Sequence, residues 1–216
     1  MTAERTPETT LDAPSFTRLD VDGQRALVLV LHGGKQTSSQ PVDGRSASWK
    51  RMASMQRSIT PKLQEDGVGT WLLRYRTRGW NHGAPVADAR WALDQVRREL
   101  GDLPVVLLGH SMGARTAAYV ADDPSVVGVV ALAPWWQSDD PVSALRGKPV
   151  AAAHGRADKI TSARMTRAFL HRAGGPEGRA SATEFHDMGR VGHYMFRGVA
   201  AWNEFATSRS LALFGC

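Results

Sequence analysis

Short apolar runs alternate along this chain with segments whose apolar residues recur at helical spacing. Residues 26–31 are apolar at every position, the mark of a strand buried on both faces. A polar stretch with Pro41 and Gly44 leads to a helix expected near 47–64, and 68–75 reads as the next strand. Within 85–100, Val86, Ala89, Leu93, Val96 and Leu100 fall on one helical face, with Gly101 as the stop. Residues 104–108 form another buried run, followed by a helix expected over 112–121 that ends at Asp122-Asp123-Pro124. Further strands are expected at 126–132, 149–153 and 180–185, and 16–21 is a candidate edge strand. Helices are expected over 162–173, closed by Gly174-Gly175, and from about 194 to 208. This alternation predicts an α/β fold, with a mainly parallel sheet flanked by helices on both faces.

The 216 residues suit one domain with a sizeable core. Residues 1–15 are polar and carry Pro7 and Pro14, so they read as a disordered lead-in to a single domain over 16–216. No stretch approaches the roughly 18 apolar residues of a membrane span, and no apolar signal segment opens the chain. The one cysteine, Cys216, is the last residue, which excludes an internal disulfide and a cysteine-rich zinc site. A cytoplasmic protein with no membrane partner is the expectation, and oligomeric state is open.

A net charge of +6 raises the question of nucleic acid. The cations are 22 Arg against 5 Lys, scattered along the chain. Arg74, Arg76 and Arg78 form the one local cluster, and no nucleic-acid motif accompanies them. No nucleic-acid partner is expected.

The densest chemical signal is Gly109-His110-Ser111-Met112-Gly113, placed where an apolar run meets a helix. Glycine two residues either side of a serine at such a junction is the nucleophile-elbow pattern. The turn strains the serine backbone and leaves no room for side chains at 109 and 113. A reactive serine needs a base and a carboxylate that holds the base. In a parallel sheet these belong in loops at the carboxyl ends of later strands. His154-Gly155-Arg156-Ala157-Asp158 follows one such strand, and Gly192-His193 closes a glycine-punctuated loop after the last.

With Leu31-His32-Gly33-Gly34, these segments make the chain resemble the α/β-hydrolases over about residues 25–208. The resemblance implies Ser111 as nucleophile, His193 as general base and then acid, and Asp158 as the orienting carboxylate. It also implies an oxyanion hole from the backbone N–H groups of Gly34 and Met112. His186 is the rival base; His110 and His32 read as structural, and His171 sits on a helix without a partner. Asp139 or Asp140 is the rival acid, and Asp187 stands too near His193 in sequence. Gly34-Lys35 fails as a phosphate loop, because Leu29 and Gln36 occupy positions that motif gives to Gly and Ser or Thr. No cofactor and no metal are expected.

A cap in this fold is inserted after the strand following the elbow helix. Here that connection, residues 134–148, is too short for one, so an open site is expected. Trp80, Trp135 and Trp136 are candidates for an aromatic substrate wall, and Arg78 for selecting an anionic substrate. The reading is a cap-less serine hydrolase acting on a small carboxylic ester through an acyl-enzyme. Thioesterase, peptidase or acyl- or perhydrolase-type transfer would use the same machinery. A non-catalytic ligand-binding protein on the same scaffold is the reading from another class.

Overall fold

Successive residues of a strand face opposite sides of its sheet, so a strand apolar throughout needs cover on both. The computed structural model, which describes residues 13–215, provides that cover. In chain order the elements are β1 (Ser15–Leu19), β2 (Ala26–Leu31), α1 (Ala47–Gln64), β3 (Val68–Arg74), α2 (Ala84–Leu100) and β4 (Val105–His110). There follow α3 (Met112–Val120), β5 (Val126–Leu132), β6 (Pro149–His154), α4 (Ala163–Gly174), β7 (Ala182–Asp187) and α5 (Val199–Phe214). The strands form one sheet in the order β1-β3-β2-β4-β5-β6-β7. Every neighbouring pair is parallel except β1, which runs antiparallel along the outer side of β3.

The alternation within β2 sorts its side chains between two cores. Leu27, Leu29 and Leu31 pack with Leu93 of α2, Ala117 of α3 and Phe169 of α4. Ala26, Val28 and Val30 pack with Met52 and Ile59 of α1 and with Trp202 and Phe205 of α5. Burying a side chain of Leu or Phe size contributes about 1.5–3 kcal/mol, and both faces collect many. The sheet thus becomes a rigid floor whose carboxyl edge carries the loops after β2, β4, β6 and β7.

Most expected boundaries match or shift by no more than two residues, and β2, α1 and β5 have the expected limits. The last helix differs more, beginning at Val199 instead of 194 and running on to Phe214 instead of 208. Its start is delayed because buried Arg51 of α1 donates to the carbonyl oxygens of Tyr194 and Met195, each at 3.1 Å. Met195 and Gly198 are also left-handed, at φ +56° and +67°. Its end is extended because Leu211, Leu213 and Phe214 still pack on the sheet. The edge strand ends at Leu19, earlier than 21. Of the disordered lead-in expected over 1–15, residues 1–12 lie outside the described residues, and Ser15 belongs to the domain as the first residue of β1, opposite Arg74 of β3. The connection between β5 and β6 holds one 3-10 turn, Ser143–Leu145, and no cap domain. Among the described residues no helix is long and apolar enough to cross a membrane.

Candidate active site

Ser111 sits between β4 and α3 with φ +53° and ψ −115°, a conformation costing about 1–3 kcal/mol for a residue with a side chain. The surrounding packing holds it there. The Ser111 amide donates to the Leu132 carbonyl at 3.0 Å, and its own carbonyl accepts from the amides of Ala114, Arg115 and Trp135. The two glycines are there for space. A Cβ on Gly113 would lie 2.1 Å from the Leu31 carbonyl oxygen, and one on Gly109 would lie 2.4 Å from the Ala114 nitrogen. Gly34 brings its loop equally close, since a Cβ there would meet the Arg78 carbonyl oxygen at 2.5 Å and the Met112 side chain at 2.4 Å. Met112 opens α3, so its N–H has no acceptor within the helix.

The three sequence-selected side chains meet. His193 Nε2 lies 3.0 Å from Ser111 Oγ, and His193 Nδ1 lies 2.8 Å from Asp158 Oδ2. An imidazole that donates from Nδ1 to a carboxylate presents a bare Nε2 to the hydroxyl, and in that tautomer it can take the hydroxyl proton. Burial raises the Asp158 pKa, but hydrogen bonds from His154, His193 and the Thr161 and Ile160 amides outweigh it. They hold the carboxyl far below the usual carboxylate range.

Two of these partners carried no role in the sequence reading. His154, the fully buried last residue of β6, places Nε2 3.2 Å from Asp158 Oδ2 while its Nδ1 meets Thr166 Oγ1 at 2.8 Å. Thr161 donates its hydroxyl to the same Oδ2 at 2.8 Å and stands 3.1 Å from His193 Nδ1. The signal for His154 was its position four residues ahead of Asp158, at the strand end. Thr161 left no comparable mark, because threonine is ordinary in a loop.

Four other histidines are structural or stand away from Ser111. His110 donates from Nε2 to the His193 carbonyl at 3.0 Å, tying the elbow to the histidine loop. Burial, followed by the neighbouring His193, lowers the His110 pKa to about 3, so this ring stays neutral. His32 donates from Nδ1 to the Gly33 carbonyl at 2.6 Å, and burial lowers its pKa to about 4. His186 lies within β7 beside Phe205, and His171 is exposed on α4. Asp187 accepts from the Gly189 amide and pairs with Arg156.

Asp140 is buried and holds Arg115, with contacts from Nε at 3.0 Å and Nη2 at 2.6 Å, while the Tyr119 hydroxyl adds a bond of 2.8 Å. Arg115 in turn lies between two of the candidate tryptophans, 4.3 Å from the Trp80 ring and 4.6 Å from that of Trp135. The three side chains, with Gln36, Thr37, His82, Gln137 and Asp139, line a cavity of about 310 Å³ next to the Gly34 loop. Trp135 and Trp136 also border a second, open cavity of about 560 Å³ on the Asp158 side. Trp136 turns inward, stacked on Phe169 at 4.1 Å with its Nε1 donating to the Ala114 carbonyl. Arg78 is tied to the 40–43 loop, donating to the Pro41 carbonyl and to Asp43 at 2.9 Å each. Arg76 is held by Asp88, and Arg74 stacks on Trp49.

Comparison with known proteins adds an independent finding. Residues 27–214 match the model of the alpha/beta hydrolase family. Among curated proteins no sequence matches this chain. Several solved structures are similar in fold. An alpha-beta serine hydrolase homologue from Coxiella burnetii is 19% identical with a TM-score of 0.70, covering 91% of each chain. A serine hydrolase without a lid from Xanthomonas campestris is 19% identical with a TM-score of 0.65, covering 90% of this chain and 87% of its own. A thermophilic esterase from Thermogutta terrifontis, with propionate bound, is 16% identical with a TM-score of 0.67, covering 94% and 89%.

Proposed function

The chain belongs to the alpha/beta hydrolase family, and we propose that it is a serine hydrolase cleaving small carboxylic esters through an acyl-enzyme intermediate. The observation that carries this reading is the continuous link from Ser111 Oγ through His193 to Asp158, at 3.0 Å and 2.8 Å. The esterase among the structural neighbours fits it.

In this mechanism His193 Nε2 takes the Ser111 proton as Oγ attacks the ester carbonyl. The negative charge of the tetrahedral intermediate rests on the amides of Gly34 and Met112. Each such donor contributes about 3–4 kcal/mol to transition-state stabilisation. As the intermediate collapses, His193 returns the proton to the departing alcohol. A water, deprotonated by the same Nε2, then attacks the acyl carbonyl and releases the acid and free Ser111. Asp158 keeps Nδ1 protonated and stabilises the imidazolium while it lasts. Trp80 and Trp135, with Arg115 between them, supply the wall on the Gly34 side.

A fluorophosphonate probe tests the reading directly. Covalent labelling of Ser111, with hydrolysis of short-chain aryl esters that Ser111→Ala abolishes, is expected. A wild-type protein that is neither labelled nor active on any ester in such a panel overturns it. Thioesters and anilides in the same panel show which acyl bond is preferred.

A further inference from the structure

Four large apolar side chains stand exposed among the described residues: Ile160 at 57%, Tyr194 at 48%, Phe196 at 73% and Val199 at 43%. Single exposed apolar residues are ordinary on a protein surface. Here all four lie on the two segments that carry Asp158 and His193. These segments are in contact, with the Arg156 amide donating to the Gly189 carbonyl at 2.7 Å and the Ala157 amide to that of Val191 at 3.2 Å. The Tyr194 and Phe196 rings stack with centroids 5.7 Å apart. Together with Ala157, Arg190 and Arg197 they line a cleft of about 300 Å³ that reaches His193.

Charge on these segments is segregated as well. Residues 159–176 contain Lys159, Arg164, Arg167 and Arg172 but no Asp or Glu, and residues 188–203 contain Arg190 and Arg197 but no Asp or Glu. Lys159, Arg164, Arg190 and Arg197 are exposed and form no ion pair among the described residues. Elsewhere the chain pairs many of its cations, as in Arg18–Glu99, Arg76–Asp88 and Arg97–Asp123. An apolar rim set among unpaired cations matches an anionic lipid surface, where aliphatic and aromatic groups enter between acyl chains and cations meet headgroups. A second copy of this chain docking through the same rim would bring the unpaired cations against their own kind. Single-stranded nucleic acid would use the aromatic rings for stacking but leaves the aliphatic Ile160 and Val199 without a role.

We propose that the rim formed by Lys159, Ile160, Arg190, Tyr194, Phe196, Arg197 and Val199 docks the protein on an anionic lipid surface. The ester delivered to Ser111 is then one carried by a lipid, a clause that rests on the ester-hydrolase reading; the docking does not. The lack of a spanning stretch, on which the expectation of no membrane partner was based, has no bearing on attachment from one side.

The test sediments the full chain with vesicles of equal parts phosphatidylglycerol and phosphatidylcholine, and with vesicles of phosphatidylcholine alone. Hydrolysis of a soluble aryl acetate is followed on the same samples. Binding to the anionic vesicles only, weakening as salt rises from about 0.05 M to about 0.5 M, is expected. Phe196→Ser with Val199→Ser, and separately Arg190→Glu with Arg197→Glu, should each lower partitioning more than about ten-fold; one cation near such a surface is worth about five-fold. Soluble-ester rates should stay within about two-fold. Failure to sediment, equal binding to both vesicle types, or unchanged binding in both double variants overturns the proposal. So does equal affinity for a single-stranded oligonucleotide, or a dimer that the same substitutions dissociate. Vesicle binding by a protein that is neither labelled by the fluorophosphonate nor active on any ester of the panel supports the docking and removes the ester reading.

Discussion

His154 Nε2 lies 3.2 Å from Asp158 Oδ2, the same oxygen that His193 Nδ1 meets at 2.8 Å. The carboxylate between them also accepts from Thr161, so its charge is shared among three side-chain donors. A carboxylate held this way is fixed in position and hard to protonate.

Replacing His154 with Phe keeps a buried ring but removes one donor. The Asp158 carboxylate then loses one of the contacts that fix its position against His193 Nδ1. The expected result is a fall in kcat of about ten-fold with KM within about two-fold, the cost of a slightly misplaced base. Steady-state kinetics of both proteins check it, with urea unfolding showing that the variant is folded.

The elbow glycines should tolerate no side chain. Gly113→Ala sets a methyl group 2.1 Å from the Leu31 carbonyl oxygen, where only backbone movement relieves the clash. A loss of more than about 3 kcal/mol in urea unfolding, or insoluble protein, is expected, in line with overpacking of a rigid site. Gly44→Ala, with open space around the added Cβ, should unfold within about 0.5 kcal/mol of wild type.

Arg115 and Asp140 form a pair that is almost fully withdrawn from water, with the cation between two indole rings. Arg115→Leu leaves Asp140 buried without its cation, and a loss of about 3–5 kcal/mol is expected. Arg115→Leu combined with Asp140→Leu should cost much less than the sum of the two single changes. A double-mutant cycle by urea denaturation measures this, and the KM of the single variants for aryl esters should rise as the wall loosens.

Acid should destabilise the fold through two neutral histidines. His32 and His110 have folded pKa values lowered to about 4 and about 3, against about 6.5 in an unfolded chain. Their stabilising contribution is complete above about pH 6.5 and is lost as pH falls towards the folded values, because the unfolded chain takes up the protons first. The unfolding free energy should therefore fall by a few kcal/mol between pH 7 and pH 4. His32→Gln should show a shallower slope in the same urea titration.

Much of this protein is written in local patterns. An apolar run without a break states that both faces of a strand are buried, and β2 and β4 are buried at every position. Glycines spaced around Ser111 state a steric requirement that the Leu31 carbonyl and the Ala114 backbone then impose. Boundaries are less legible where a distant side chain competes for backbone groups. Arg51, more than a hundred residues away in sequence, takes the carbonyls of Tyr194 and Met195 and delays α5. Charge was legible only in part. Cations that look scattered along the chain become a free group at one rim once the loops after β6 and β7 are neighbours.

By itself the sequence determined the order of strands and helices, the α/β class and the three side chains that gather at the sheet's edge. Spacing, backbone sterics and apolar periodicity are properties of neighbouring residues, and they survive in one dimension. Only the tertiary structure decided that His154 and Thr161 share the Asp158 carboxylate, that Arg115 rather than Arg78 stands in the tryptophan wall, and that Trp136 turns inward. Those outcomes depend on which strands lie side by side. The 35 residues from Asp158 to His193 and the 82 from Ser111 to His193 are bridged by the packed sheet, and no local pattern encodes what meets across it.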